Sequence, residues 1–271
     1  MPTAGSFGRQ LTPTNSFRHF DRFGPSESAL AQFLFPFAWR DVVFWFDDFT
    51  QNIAANLSDH YTLGTDAGAT AFAKNAGIGG RVQGNTGATD EEAVSLLTGA
   101  DWNGDQQCGM EIRWQVNAVG TTPLGYETGF TDPQTDDTLP AVDDIDTPSI
   151  ANGATDVALI RLSQSQTLKT EAFITDGSTA NMNTTKTDLG TRSPTAATYL
   201  ATRIQIVTDA AAGYHFDADF ALLESAQHGS ALANQIEGGV ALTARFFGQT
   251  HTVSTELLFT LDYIAIWQNR R

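Results

Sequence analysis

The amino-acid sequence predicts an all-β protein, a two-sheet antiparallel β-sandwich that follows an extended N-terminal arm. Residues 259–267 are rich in β-branched and aromatic side chains and contain no proline or glycine, as is typical of an interior strand. Residues 108–119 alternate apolar with polar side chains, the pattern of a strand with one buried face. Turn residues separate short apolar runs about every ten positions, which favours a sandwich or a barrel.

The first 40 residues differ from the rest, and we predict an arm at residues 1–40 and a sandwich domain at residues 41–271. The arm holds four of the nine prolines, which disfavour helix on their N-terminal side. Solvated tails are poor in aromatic residues, so the rings of this arm should be covered. Either the arm packs on its own sandwich or it crosses to a neighbouring subunit. The predicted partner-binding residues of the arm are Phe7, Arg9, Phe17, Arg18, Phe20, Arg22, Phe23, Phe33, Phe35, Phe37 and Trp39.

Apolar runs between turn residues predict the strands of the body. They lie at residues 42–49, 61–65, 69–73, 93–97, 108–119, 124–131, 157–162, 168–174, 199–207, 214–223, 240–247 and 259–267. Residues 77–82 read as a glycine-rich turn that enters another strand. Residues 132–153 are predicted as a long acidic loop, and loops of this length are usually functional or mobile. Residues 224–234 are predicted as a short helix or a loop.

The last strand and the first strand of the body are expected to pair. Both segments are dense in aromatic and β-branched residues, and their pairing would close the sandwich by joining the two ends of the domain. Strict alternation along the last strand puts one set of side chains on a common face, namely Phe259, Leu261, Tyr263, Ala265 and Trp267. The opposite face then carries Thr260, Asp262, Ile264 and Ile266.

Charge and composition exclude several classes of function. The net charge is -16, and residues 1–40 carry +2 because four arginines outnumber Asp21 and Glu27, which leaves -18 on the body. An acidic body argues against nucleic acid and against an anionic membrane surface as partners. The single cysteine, Cys108, excludes an intramolecular disulfide. The N-terminus lacks an apolar signal core, so we expect synthesis in the cytoplasm without export by a cleaved signal.

Four short motifs occur in an order that resembles a group of tailed-phage virion proteins. They are Phe46-Asp-Asp-Phe49, Gly87-Ala-Thr-Asp-Glu91, Gly125-Tyr-Glu-Thr-Gly-Phe-Thr-Asp132 and Leu261-Asp-Tyr-Ile264. The resemblance covers residues 41–271 and implies a concanavalin-A-like (laminin-G-like) jelly roll whose first and last strands are neighbours. It implies a bacteriophage capsid decoration or cement protein, or a fibre component. The implied partners are the major capsid protein and sister subunits, on the capsid surface of the virion. The arm and the sandwich suit a homo-oligomer, for which a trimer is favoured.

Catalytic motifs are missing from the sequence, so we expect a structural protein and not an enzyme. The glucanases that share the jelly roll carry a Glu-x-Asp-x-x-Glu triplet on one strand, which places two carboxylates on one face. Here the corresponding kind of strand holds the single carboxylate Glu111. A Gly-x-Ser-x-Gly elbow, a His-Glu-x-x-His motif and a phosphate-binding loop are also absent from the sequence.

Two ligand classes stay open on sequence grounds. Calcium favours hard oxygen ligands, and the acidic loop offers Asp132, Asp136, Asp137, Asp143 and Asp144, although solvated carboxylates explain the same pattern. A carbohydrate-binding, lectin-like module of a phage fibre or receptor-binding protein is the alternative to a decoration protein. The candidate sugar-binding rings are Trp102, Tyr126 and Tyr214. For Trp102 the competing interpretation is a ring that covers the end of the sandwich core.

Overall fold

The computed structural model describes most of the body. Its described residues are 42–49, 57–75, 80–117, 124–142, 151–163, 167–175, 186–190, 194–207, 210–216, 222–229, 236, 239–251 and 255–269. The predicted arm, with all its partner-binding residues, lies outside these ranges, and so do Asp143 and Asp144. In the described part, the helices are two three-residue 3₁₀ turns, Leu57–Asp59 and Gly104–Gln106. Neither is long enough to span a membrane.

The strands, numbered in chain order, form two antiparallel sheets that face each other as a sandwich. Sheet I contains β1 (Val42–Asp47), β3 (Thr70–Lys74), β4 (Val82–Asn85), β7 (Gly109–Val116), β12 (Leu200–Val207), β13 (Ala210–Phe216), β14 (Leu222–Gly229) and β16 (Leu258–Asn269). Sheet II contains β2 (Thr62–Thr65), β5 (Ala93–Leu97), β6 (Trp102–Asn103), β8 (Leu124–Thr131), β9 (Val157–Ser163), β10 (Thr167–Thr175), β11 (Lys186–Gly190) and β15 (Ala241–Thr250). The predicted fold class is confirmed.

The order of strands places β16 at the centre of sheet I. That sheet runs β14-β13-β12-β7-β16-β4-β3, and β1 pairs with the remaining length of β16. The predicted pairing of the first and last strands is confirmed, with Phe44 opposite Trp267 and Trp45 opposite Ile266. Sheet II runs β11-β10-β9-β8-β15-β5-β2, with β6 on β15. Long β16 therefore joins three strands that are far apart in the sequence.

The alternation predicted for β16 is wrong in its second half. The register of β16 against β7 shifts between Leu261 and Tyr263, which is a β-bulge at Asp262. One extra residue inverts the alternation of side chains beyond it. The core side chains of β16 are consequently Phe259, Leu261, Ile264 and Ile266. Tyr263, Ala265 and Trp267, predicted to share the face of Phe259, lie on the outer face of sheet I instead.

The core between the sheets is centred on Trp114 of β7. Its ring centroid lies 4.6 Å from that of Tyr126, 5.5 Å from Phe246 and 6.1 Å from Phe259, which come from three different strands. Its indole N–H donates to Thr202 Oγ1 at 3.1 Å, so the one polar atom of the ring is satisfied. The buried face predicted for residues 108–119 is confirmed by the core positions of Met110, Ile112, Trp114 and Val116. Burial also raises the pKa of the Cys108 thiol, which agrees with a structural cysteine.

Differences from the predicted elements concentrate between residues 186 and 229. Residues 214–223 were expected to be one strand, but β13 ends at Phe216, β14 begins at Leu222 and the two pair antiparallel. Residues 224–234 were expected to be a helix or a loop, but β14 continues to Gly229. Strand β11 was not predicted. Asp217 and Asp219 belong to a residue type depleted in strands and were the available signal for the break.

Gly109 supports the outer face of sheet I because it leaves room for Trp267. The indole of Trp267 is fully buried, and a Cβ added at residue 109 would overlap its Cε2 and Cζ2 atoms. We expect Gly109→Ala to lower the free energy of unfolding by about 1–3 kcal/mol, because an extra methyl group in a closely packed site displaces its neighbours. Chemical denaturation of the full chain measures this change.

Trp267→Phe supplies the coupled control, since phenylalanine lacks the part of the indole that the methyl group would strike. The two substitutions together should destabilise the chain by less than the sum of their separate effects. Additive effects would contradict the packing described for Gly109.

Candidate functional site

Glu111 on β7 is a buried carboxylate on the outer face of sheet I. It lies between Met110 and Ile112, whose side chains enter the core, so its own side chain points outward. Arg203 on β12 donates to it from Nη2 at 2.6 Å and from Nε at 2.9 Å, and the Tyr263 hydroxyl donates at 2.6 Å. These charge-assisted bonds hold both carboxylate oxygens. Glu111 therefore joins three strands of sheet I.

Glu127 on β8 is the matching buried carboxylate on the outer face of sheet II. Arg161 of β9 donates to it at 2.6 Å, and Nη1 of Arg245 on β15 lies 3.5 Å away. Glu127 also accepts the backbone N–H groups of Ala141 at 2.8 Å and Val142 at 3.1 Å. Its side chain is 1% exposed. One carboxylate thus fixes two neighbouring strands and the loop that follows β8.

That loop lies against the outer face of sheet II. We call residues 132–142 and 151–156 the cover segments. Ser95 Oγ of β5 donates to the Asp137 carbonyl at 2.6 Å, and Arg245 donates to the Leu139 carbonyl. A second buried apolar cluster forms between the cover segments and the sheet, from Ala141, Val142, Ala154, Val157 and Leu159. The outer face of sheet II around Glu127 is consequently closed by the chain itself.

Two of the calcium candidates in the described part of the loop, Asp132 and Asp136, accept hydrogen bonds from within the protein. Asp132 Oδ1 accepts the N–H groups of Thr155 at 2.8 Å and Asp156 at 3.1 Å. Asp136 Oδ1 accepts the backbone N–H and the hydroxyl of Thr138, and these bonds hold the pKa of Asp136 below its ordinary value. Among the residues that the structure describes, no three His, Cys, Asp or Glu side chains form a group that could hold a metal ion.

The candidate sugar-binding rings fall in three different environments. Tyr126 is 1% exposed and packs on Trp114 in the core. Trp102 is 7% exposed, belongs to the core and donates from Nε1 to Thr98 Oγ1 at 3.3 Å, which matches the competing interpretation of this ring. The side chain of Tyr214 lies outside the described part. Tyr126 and Trp102 consequently offer little ring surface to a ligand.

A cleft of about 370 Å³ opens beside the edge of Trp102. The half-buried ring of Trp45 lines it, with the exposed residues Asp59, His60 and Asp101. We call it the Trp45–Trp102 cleft. Strand β1 positions Trp45, the first 3₁₀ turn positions Asp59, and the connection between β5 and β6 positions Asp101. Its described lining holds two carboxylates and no lysine or arginine.

Local contacts fix the walls of this cleft. The Trp45 ring meets the Tyr61 ring edge-on with 5.5 Å between centroids, and the Tyr61 hydroxyl donates to Asp47 Oδ2 at 2.9 Å. Burial and the Asp47 carboxylate raise the pKa of Tyr61, so Tyr61 keeps its proton and remains a donor. Sequence reasoning missed the cleft because its residues come from three distant segments. The clustering of aromatic residues in β1 was the only signal available.

Comparison with known proteins supports the fold and leaves the family unassigned. The sequence matches no protein-family model and no curated protein. A protein of unknown function from Shewanella oneidensis MR-1 has a similar structure, with a TM-score of 0.56 and 13% identity over 84% of this chain and 87% of that chain. Winged bean acidic lectin, solved with methyl-α-D-galactose, gives a TM-score of 0.53 and 9% identity over 85% of this chain and 100% of the lectin.

A seed lectin of Lotus tetragonolobus is similar to the same degree. Its TM-score is 0.52, with 8% identity over 84% of this chain and 100% of the lectin. Identities this low concern the fold alone. The chain has the concanavalin-A-like jelly roll of these lectins, as the sequence motifs implied.

Replacing Glu127 tests whether it holds the cover segments on sheet II. Glu127→Gln leaves Arg161 and Arg245 buried without their carboxylate, so the free energy of unfolding should fall by about 3 kcal/mol. Hydrogen exchange at the Ala141 and Val142 amides should accelerate more than exchange in the core strands. Glu91→Gln, at an exposed position, is the matched control and should change neither measurement. Equal exchange in both variants would contradict the role of Glu127.

His251 predicts how stability depends on pH. The imidazole follows β15, and burial, with a smaller effect of Arg161, lowers its pKa from 6.5 to about 4, against the opposing influence of Asp90. Between these two values the unfolded chain binds a proton that the folded chain does not. The contribution of His251 to stability is therefore complete above pH 6.5 and declines as the pH falls toward about 4.

Urea unfolding at pH 7 and pH 5 measures this contribution. The full chain should lose more stability between these pH values than His251→Gln, which has no imidazole to protonate. An identical loss in the two proteins would contradict the lowered pKa of His251.

Proposed function

We propose that this chain is a non-enzymatic structural protein of a tailed-phage virion, a capsid decoration or cement subunit. It binds the phage head and its sister subunits through the N-terminal arm and an edge of the sandwich. The proposal that the protein is not an enzyme is supported by the ion pairing and hydrogen bonding of the two buried carboxylates, Glu111 and Glu127. Each is paired with arginine, and both oxygens of each carboxylate accept hydrogen bonds.

Those carboxylates are also too far apart for joint catalysis. Retaining glycosidases need two carboxyl groups about 5–5.5 Å apart, and inverting enzymes need about 6.5–9.5 Å. Glu111 and Glu127 lie on opposite outer faces of a sandwich whose two sheets alone are about 10 Å apart. Their role is to join strands, so the sandwich serves as a scaffold.

The arm supplies the binding energy in this proposal. It carries eight aromatic residues within 40 positions and a charge of +2, next to a body of -18. Buried aromatic side chains contribute about 150–250 Å² each and dominate the energy of many interfaces. Arg9, Arg18 and Arg22 can form bidentate pairs with carboxylates of the partner. An arm that spans subunits adds avidity, since each later contact becomes intramolecular.

Carbohydrate binding is the second candidate, and the likeness to legume lectins favours it. One of those lectins was solved with methyl-α-D-galactose, as its description states. The two rings predicted to stack on sugars, Trp102 and Tyr126, are buried here, so the Trp45–Trp102 cleft is the place for a glycan. Saturable binding on a glycan array that is lost in Asp59→Asn with Asp101→Asn would favour a lectin.

Deleting residues 1–40 tests the arm. A chain that begins at Asp41 should remain a folded monomer and lose co-sedimentation with phage capsids, whereas the full chain forms a defined oligomer and binds them. Light scattering measures the mass in solution. The full-length triple variant Arg9→Glu, Arg18→Glu and Arg22→Glu is the companion measurement, since it keeps the arm and reverses its charge. Full-strength capsid binding by both variants would overturn the proposed function.

A further inference from the structure

We propose that the Trp45–Trp102 cleft receives an arginine side chain from the N-terminal arm of a neighbouring copy of this chain. The inference rests on the proposed function in one respect, namely that the arm assembles subunits. It adds the site on the body that the arm occupies and the chemistry that recognises it.

The cleft has the chemistry of a guanidinium receptor. The half-buried Trp45 ring offers a stacking surface, beside the buried Trp102 and the carboxylates Asp59 and Asp101. A guanidinium is planar, stacks on aromatic rings and donates paired hydrogen bonds to carboxylates. The volume of about 370 Å³ leaves room for an arginine side chain and part of its backbone. Asp59 and Asp101 are both exposed, so their carboxylates are accessible from solvent.

Other ligand classes fit this cleft less well. The described lining carries two acidic side chains without a lysine or an arginine, so an anion would be repelled. A divalent cation needs more oxygen ligands than two carboxylates supply, and the described residues show no group of three metal-ligating side chains. A cationic side chain that also presents a flat apolar face satisfies the Trp45 ring and the carboxylates together.

The arm of a second copy matches the cleft in charge and in pattern. Residues 17–23 read Phe17-Arg18-His-Phe20-Asp-Arg22-Phe23, in which arginines alternate with rings. In an extended chain Arg18 and Arg22 are separated by about 13 Å. One arginine can then occupy the cleft while neighbouring rings cover the adjoining surface. Forty extended residues reach roughly 130 Å, enough to leave one subunit and contact another.

The first experiment compares two full-length double variants that lose the same charge. Asp59→Asn with Asp101→Asn neutralises the cleft, and Asp90→Asn with Glu91→Gln neutralises two exposed carboxylates elsewhere. Light scattering across a concentration series measures the concentration below which each oligomer dissociates. For the cleft variant this concentration should be at least about tenfold higher than for the unmodified chain, because charge-assisted bonds are lost. The control should keep the mass of the unmodified chain. Equal association of both variants would overturn the inference.

A second experiment reverses the charge of the arm in one chain and of the cleft in another, so that it detects only contacts between copies. One full-length chain carries Arg18→Glu with Arg22→Glu, and another carries Asp59→Lys with Asp101→Lys. Each alone should be monomeric because its arm and its cleft have the same sign of charge. Their mixture should associate, because each arm then meets a cleft of the opposite sign. A mixture that stays monomeric would overturn the inference.

Failure of the inference and failure of the proposed function give different results. If deleting residues 1–40 abolishes assembly but the cleft variant assembles normally, the arm binds elsewhere and only the inference falls. If the deletion leaves mass and capsid binding unchanged, the proposed function falls as well. Loss of glycan binding in the cleft variant, with association unchanged, would assign the cleft to a sugar and overturn the inference.

Discussion

The β-bulge at Asp262 is the constraint on which the arrangement of sheet I depends. The extra residue turns Ile264 and Ile266 toward the core and Tyr263 and Trp267 toward the outer face. Because of that turn, the Tyr263 hydroxyl reaches Glu111 and the Trp267 indole covers Gly109. Without the bulge the second half of β16 would direct an indole and a phenol into a core already occupied by Trp114. One inserted residue therefore allows β16 to place aliphatic side chains in the core and aromatic side chains on the outer face beyond the bulge.

Buried ion pairs connect neighbouring strands on the outer face of each sheet. Each pair joins a carboxylate of one strand to arginines on its neighbours, Glu111 with Arg203 in sheet I and Glu127 with Arg161 and Arg245 in sheet II. Burial of a charge costs free energy unless the charge is paired and hydrogen-bonded, and both carboxylates are paired and hydrogen-bonded. Since hydrogen bonds are directional, these pairs fix strand register as well as contributing stability.

Much of the architecture was predictable because it depends on local patterns. Strands β5 and β8 were predicted to the residue, and the pairing of β1 with β16 followed from their shared composition. The bulge at Asp262 was not predictable, because it is defined by the register of β16 against β7, which the sequence does not show. The partners of Glu127 were hidden for another reason: Arg161 and Arg245 are distant in the sequence, and the contact exists only after the sheet forms.

The candidate site was the less predictable part. Single aromatic residues such as Trp102 and Tyr126 look alike in a sequence whether they fill a core or bind a ligand. The Trp45–Trp102 cleft gathers side chains from β1, a 3₁₀ turn and the start of β6, and no spacing rule connects those segments. The arm is predicted from composition alone and lies outside the described residues. Its role as an assembly device and its docking site remain the two proposals made for this chain.

The central position of β16 also determines how the chain must fold during synthesis. Its partners β1, β4 and β7 leave the ribosome long before it does. Val42, for example, cannot pair until its partner Asn269 has been synthesised. Pairings between residues so distant form slowly, since a large loop must close before any contact stabilises it. Until then the nascent chain exposes strand edges rich in aromatic residues, which are prone to aggregate. Efficient folding of this protein is thus expected to depend on chaperones or on rapid completion of its C-terminal strand.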